Sequence, residues 1–340
     1  MKGDGEVGGA APTGLRSEAC PSRKGALPSG LTSEGARNER PSEEGRRRVK
    51  RPRGERETQR PEASEREKLR LSLNQATVKH LSLEQAAGLC RRHGIPAIGL
   101  WRDRVADLGL AESAAAVRAA GLHVSSLCRG GFFTCADPQG RAAALADNRA
   151  AVAEAAELGA DVLVLVCGGL VPGSRDLGLA RRMVTDAVAE LVPVAERMGV
   201  RLGIEALHPM FCAGRCVVSR LGDAVDLARL FPAETVGVVV DTYHVWWDSG
   251  LAGQLARARG RIACFQLADW VEPLPADVLL GRGHLGDGCI DLAQITAQVL
   301  AAGYRGYAEV EIFSQEVWDA PADDTAATVR RRFRDLLRDP

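Results

Sequence analysis

The sequence predicts an α/β fold, a (β/α)8 TIM barrel, carried behind a disordered N-terminal extension. Three observations lead there. From residue 69 onward, short β-branched or apolar runs alternate with Ala-, Leu- and Arg-rich stretches of helical spacing. About eight such units fit into ~270 residues, which is the count and size of a closed parallel barrel. The first run leads into Asn74-Gln75-Ala76-Thr77. A doubly wound open sheet would normally show a glycine-rich phosphate loop there.

The expected strands span 69–74, 97–101, 123–127, 162–167, 201–206, 236–241, 262–267 and 306–312. Their alternation with helices implies parallel pairing through right-handed crossovers. Ser82, with Gln85 three residues on, forms a capping-box signature for a helix over 83–93. Apolar residues at helical spacing mark 149–158 and 179–198, and Asp291 can cap a helix over 292–302. Gly94, Gly121, Gly159 and Gly199 each stand just past a helix, where a left-handed residue closes the last turn.

The composition divides the 340 residues into two parts, 1–68 and a catalytic domain over 69–340. The first is rich in Gly, Pro, Ser, Arg and Glu, with almost no apolar periodicity. Such a segment buries too little surface to offset its ordering entropy, so disorder is expected. The basic stretch from Arg46 to Arg53 is flanked by acidic residues and reads as a solvated tail. Lys+Arg and Asp+Glu are both 44, giving zero formal net charge. A general nucleic-acid or membrane-surface binder would need a basic excess. No run approaches the ~20 apolar residues of a membrane span. The N-terminus lacks the apolar core of a secretory signal. The nine cysteines are odd in number, scattered, and in part embedded in apolar runs, which fits a reducing cytoplasm. Cys212 and Cys216 have no second Cys or His pair nearby, so a structural zinc is not expected.

Functional residues of such a barrel gather at the carboxyl ends of its strands. Four late strands each end in a polar group that a buried strand does not otherwise need: Glu205, Asp241, Gln266 and Glu311. An unpaired buried charge is expensive, and a metal ion would partner all four groups at once. Three carboxylates and an amide favour Mg2+ or Mn2+ over zinc. Glu309 competes with Glu311. The two share a side by strand parity, and Glu311 is preferred because it lies nearer the carboxyl end.

The segments Glu205-x-x-His208-Pro209, Asp241-Thr242-Tyr243-His244, Gln266-Leu267-Ala268-Asp269, the loop from Gly283 to Asp291, and Val310-Glu311-Ile312-Phe313 together resemble the xylose-isomerase-like sugar phosphate isomerase/epimerase superfamily. That group includes ketose 3-epimerases, hydroxypyruvate isomerase and inosose-processing enzymes. The resemblance covers about residues 70–338 and rests on the order and spacing of the motifs. It implies Glu205, Asp241, Gln266 and Glu311 as ligands of one divalent ion, Mn2+ or Mg2+, with Co2+ as a third candidate. It implies His244 and Arg282 as holders of substrate oxygens and His208 as a residue lining the site. Many members carry His where this chain has Gln266, whereas the hydroxypyruvate isomerase branch resembles it in having Gln.

The chemistry so implied is removal of a proton next to a carbonyl in a small polyhydroxy substrate, with Glu205 and Glu311 taking and returning it. Return to the opposite face is epimerisation, return to the adjacent carbon is isomerisation, and expulsion of a β-hydroxyl is dehydration, as in an inosose-type dehydratase. Asp269 is expected to orient Gln266 or a neighbouring ligand from behind. Trp101, Trp246, Trp247, Trp270 and Phe313 are candidates for the pocket wall. An endonuclease-IV-like nuclease would need a histidine-rich mouth and a basic rim, and the chain has six histidines and no net charge. A non-catalytic sugar-binding barrel would be expected to break the ligand set, which is intact here. A homo-oligomer is compatible with the resemblance, whose members are often dimers or tetramers.

Overall fold

The computed structural model describes residues 69–338. The extension over 1–68, expected to be disordered, lies outside the described residues. Strands β1 (Arg70–Asn74), β2 (Ala97–Trp101), β3 (His123–Gly131), β4 (Val162–Val166), β5 (Arg201–Glu205), β6 (Val236–Asp241) and β7 (Ile262–Leu267) follow in chain order. A short ribbon comes next, β8 (Asp269–Trp270) paired antiparallel with β9 (Arg282–Gly283), and then β10 (Tyr307–Val310). β1 to β7 and β10 close into one eight-stranded parallel barrel, with β10 between β7 and β1. Each barrel strand begins within one residue of its expected start. No described helix is long and apolar enough to cross a membrane.

The caps explain why the helices stand where they do. Ser82 and Gln85 form the expected capping box on Leu83–Arg92. Asp291 accepts from the Gln294 N–H to start Leu292–Ala301. The helix expected over 149–158 is in fact Pro138–Leu158, opened by Asp137 accepting from Gly140 N–H and by Pro138 in the first turn. Its first half carries only one buried residue, Leu145, before Asn148, so no apolar stripe announced it. Strand β3 also outruns its expected end at 127. Its register against β4 shifts between Cys128 and Gly130, and pairing resumes as Gly130 with Leu165 and Gly131 with Val166. Gly131 has φ of 110°, and a Cβ there would sit 1.9 Å from the Val166 carbonyl oxygen. Only glycine fits there.

Two packed layers result. The main core fills the space between strands and helices. A smaller buried cluster of Cys128, Val162, Val164, Val239 and Cys264 is separate from it. Within the barrel Glu309 is completely buried. Its carboxylate accepts from Ser125 Oγ (2.5 Å), Ser126 Oγ (2.8 Å), Asn74 Nδ2 (2.7 Å) and Gln266 Nε2 (3.1 Å). Adjacent strand residues normally face opposite sides. Ser125 and Ser126 reach the same carboxylate because Ile98 pairs with Val124 while Gly99 pairs with Ser126, so Ser125 is the extra residue of a bulge.

Gly99 leaves the space this carboxylate fills: a Cβ there would lie 2.6 Å from Glu309 Cδ and Oε2. Gly99→Ala is therefore expected to destabilise the fold by about 1–3 kcal/mol, as overpacking does. A urea midpoint identical to wild type would show that Glu309 re-seats without cost.

Candidate functional site

Strands β5 and β6 end on Glu205 and Asp241, β7 carries Gln266 one residue before its end, and Glu311 follows β10 directly. The register sets Asp241 beside Gln266, and all four groups are buried. Glu205, Asp241 and His244 offer potential ligand atoms within 4.8 Å of one another, and Cys128, Glu309 and Glu311 form a second such group.

The β8–β9 ribbon delivers Arg282 into this site. Its Nη1 donates to Asp241 Oδ2 at 2.9 Å, to Glu311 Oε2 at 3.1 Å and to the Glu311 carbonyl at 3.2 Å. Its Nη2 lies 3.1 Å from His244 Nε2. Tyr243 and Phe313 flank the guanidinium with their rings, at 4.8 and 5.2 Å.

One arginine does not balance three carboxylates. Burial, reinforced by the charges of Asp241 and Glu311, raises the Glu205 carboxyl well above the usual range. Burial likewise pushes Glu311 up to about 8, against the opposing pull of Arg282. Asp241 is raised by burial too, although Arg282 and the Tyr243 N–H draw it back. Burial and then Arg282 lower His244 well below its ordinary value, so its ring is neutral. Gln266 donates through Nε2 to Glu309, while its buried Oε1 has no hydrogen-bond partner. An under-neutralised set of buried oxygens with an orphan amide carbonyl suits a hard divalent cation.

A cation can take Glu311 only after its proton leaves. Metal affinity is therefore expected to climb as pH rises from 6 through about 8. Calorimetric titration with Mn2+ across that range checks this; a flat profile would mean that Glu311 binds no ion. The same shift has a stability consequence in the metal-free protein. Its folded-state value lies above the ordinary 4.5, so the native state holds the extra proton, and the Glu311 contribution to stability is lost as pH rises through about 8.

A cavity of about 160 Å³ opens over these groups. Glu205, His244, Arg282 and Glu311 line it, together with Trp101, Cys128, Arg129, Phe132, Leu207, Arg215 and Phe313 among others. Trp101 and Phe313 meet edge to face, with centroids 5.6 Å apart. Of the five aromatic candidates these two reach the cavity wall, and Trp246, Trp247 and Trp270 do not. His208 also lies off the wall. It packs on Trp247 and Trp270, at 5.4 and 5.2 Å between centroids, and its backbone N–H donates to His244 Nδ1 at 3.3 Å. Its place is thus behind His244.

Asp269 is not on Gln266. Its carboxylate accepts from the backbone N–H groups of Trp270, Gly286 and Ile290, at 2.9, 2.9 and 3.0 Å. It positions the loop that follows Arg282. Sequence reasoning missed Cys128, Arg129, Phe132 and Arg215. The first three follow the expected end of β3, and Arg215 sits in a loop weighed only for zinc.

The profile of the xylose isomerase-like TIM barrel family matches residues 87–336. The chain belongs to this family. An inosose isomerase of Bacillus velezensis is 24% identical over 272 residues, 77% of this chain and 95% of that protein. A 3-dehydroshikimate dehydratase of Pseudomonas aeruginosa is 35% identical over 187 residues, 53% of this chain but 27% of that longer protein. Among solved structures, a protein of Sinorhizobium meliloti 1021 is 49% identical with a TM-score of 0.76, covering 78% of this chain and 98% of its own. The IOLI protein, solved with a bound zinc atom, is 21% identical with a TM-score of 0.70, over 79% of this chain and 98% of its own, a likeness of fold. Among these, the relatives of known activity are thus an inosose isomerase and a dehydratase.

Proposed function

We propose that the chain is a divalent-metal-dependent isomerase or epimerase acting on a small polyhydroxy carbonyl compound through an enediolate. The observation that carries this reading is the burial of Glu205, Asp241 and Glu311 together at the strand ends, with Arg282 bonded to Asp241 and Glu311, at a small cavity that Glu205, Arg282 and Glu311 line.

Glu205, Asp241, Gln266 and Glu311 would hold the ion, which when bound polarises the substrate carbonyl as a Lewis acid. Glu205 and Glu311 take and return the proton on the carbon next to that carbonyl. Their burial raises their proton affinity toward the working pH, which is what reversible transfer from a weak carbon acid needs. Neutral His244 and the Nη2 edge of Arg282 hydrogen-bond substrate oxygens. Trp101 and Phe313 keep water from the developing charge.

A dehydratase is the second reading. It is favoured by the 35% identity with the Pseudomonas aeruginosa dehydratase over about half of this chain, against 24% with the inosose isomerase over a longer stretch. Dehydration shares the proton removal and differs in the next step, loss of a β-hydroxyl.

The test is to strip the full chain with chelator, restore Mg2+, Mn2+, Co2+ or Zn2+ singly, and follow exchange of carbon-bound hydrogen with D2O by NMR over ketoses, inososes and cyclic keto acids. Metal-restored exchange with a rearranged product supports the isomerase reading, and an unsaturated product supports the dehydratase. Absence of metal binding would sink both.

A further inference from the structure

We propose that the cavity is built for a carboxylate-bearing substrate, whose acid group is received by Arg129 and Arg215; the proposal rests on the reading of the cavity as a substrate site. Both arginines line the cavity that contains Glu205 and Glu311. Neither has a side-chain hydrogen bond or a carboxylate partner among the described residues. Arg282, on the same cavity wall, is by contrast held by Asp241 and Glu311. Arg129 is half-buried, and its guanidinium lies 4.3 Å from the centre of the Phe132 ring. Arg215 is exposed at the same opening.

Burial and the like charge of Arg215 both weigh against the charged form of Arg129, and the opposing pull of Cys128, Glu205 and Asp103 is smaller. A partly desolvated guanidinium facing a second one is a costly arrangement unless an anion completes it. The planar forks of two arginines match the two oxygens of a carboxylate, and the cavity, at about 160 Å³, suits a compact acid.

The test uses ligands that cannot turn over, so it does not depend on the reaction. Gluconate, its neutral counterpart glucitol, and glucitol 6-phosphate are titrated calorimetrically into the Mn2+-loaded full chain, with wild type, Arg129→Gln and Arg215→Gln. Gluconate is expected to bind at least about tenfold tighter than glucitol, and each substitution to cost it about tenfold, the worth of one charge-assisted hydrogen bond. Glucitol affinity should not move. Arg215 is exposed, so its variant reports on binding even where Arg129→Gln disturbs the strand end. Equal affinity for gluconate and glucitol, failure of gluconate to bind, or equal loss for both ligands in the variants would overturn the proposal. Tighter binding of glucitol 6-phosphate than of gluconate would overturn it in favour of a phosphate. Arginine-dependent gluconate binding without hydrogen exchange on any keto acid would leave the acid site standing and refute the proton-transfer reading. Exchange on neutral ketoses untouched by the two substitutions would do the reverse.

Discussion

Glu311→Gln is expected to lower metal-restored hydrogen exchange by about 10²- to 10⁴-fold, the usual worth of a positioned general base, and Glu205→Gln to do the same. The amide keeps the shape and one ligand oxygen of the carboxylate but cannot accept a proton from carbon. The loss should not come from unfolding. Glu311 is one of several buried acids pressed together, and burial with the Asp241 and Glu309 charges already strains its ionised form. A neutral amide relieves that repulsion and can still accept from Arg282 Nη1, so the melting temperature in chelator should hold or rise. Exchange within a factor of a few of wild type in a folded, metal-loaded Glu311→Gln would show that its carboxylate moves no proton.

At a pH above the Glu311 value of about 8, where that carboxyl is ionised, Arg282→Met is expected to cost the metal-free protein about 3–5 kcal/mol, the penalty for stranding buried charges by removing their partner. Three hydrogen bonds to Asp241 and Glu311 vanish together, and no other side-chain cation reaches these carboxylates among the described residues. The loss should be conditional. Saturating Mn2+ offers the stranded acids a new partner and binds the native state alone, so it should restore a larger share of stability than it adds to wild type. Thermal melts with chelator and with Mn2+ give the comparison. An unchanged melt in chelator would mean that Asp241 and Glu311 are already protonated and owe Arg282 nothing.

The barrel was legible because its signals are local. Strand starts were fixed by runs of Val, Ile and Leu, and helix limits by Ser82, Asp291 and the closing glycines. Glu205, Asp241, Gln266 and Glu311 stood out because an apolar strand has no other use for a polar terminus. What escaped has physical reasons. The reach of β3 to Gly131 depends on the Val166 carbonyl pressing where a side chain would be, a contact between segments far apart in the chain. With the strand cut short at 127, Cys128, Arg129 and Phe132 went unnoticed. The partners of Asp269 and the place of His208 behind His244 depend on how the Gly286–Ile290 backbone and the Trp247 and Trp270 rings pack, and no spacing rule encodes that.

The pairing of Gly99 with Glu309 also bears on how this barrel can change over generations. A side chain at position 99 and a carboxylate at 309 exclude each other, while an empty 99 opposite an apolar 309 would leave Ser125, Ser126, Asn74 and Gln266 without their common acceptor. Neither position can drift alone at low cost. In descendants of this chain the two should be inherited as a unit, and a lineage that has lost Glu309 should show replacements at residue 99 and among the four donors together.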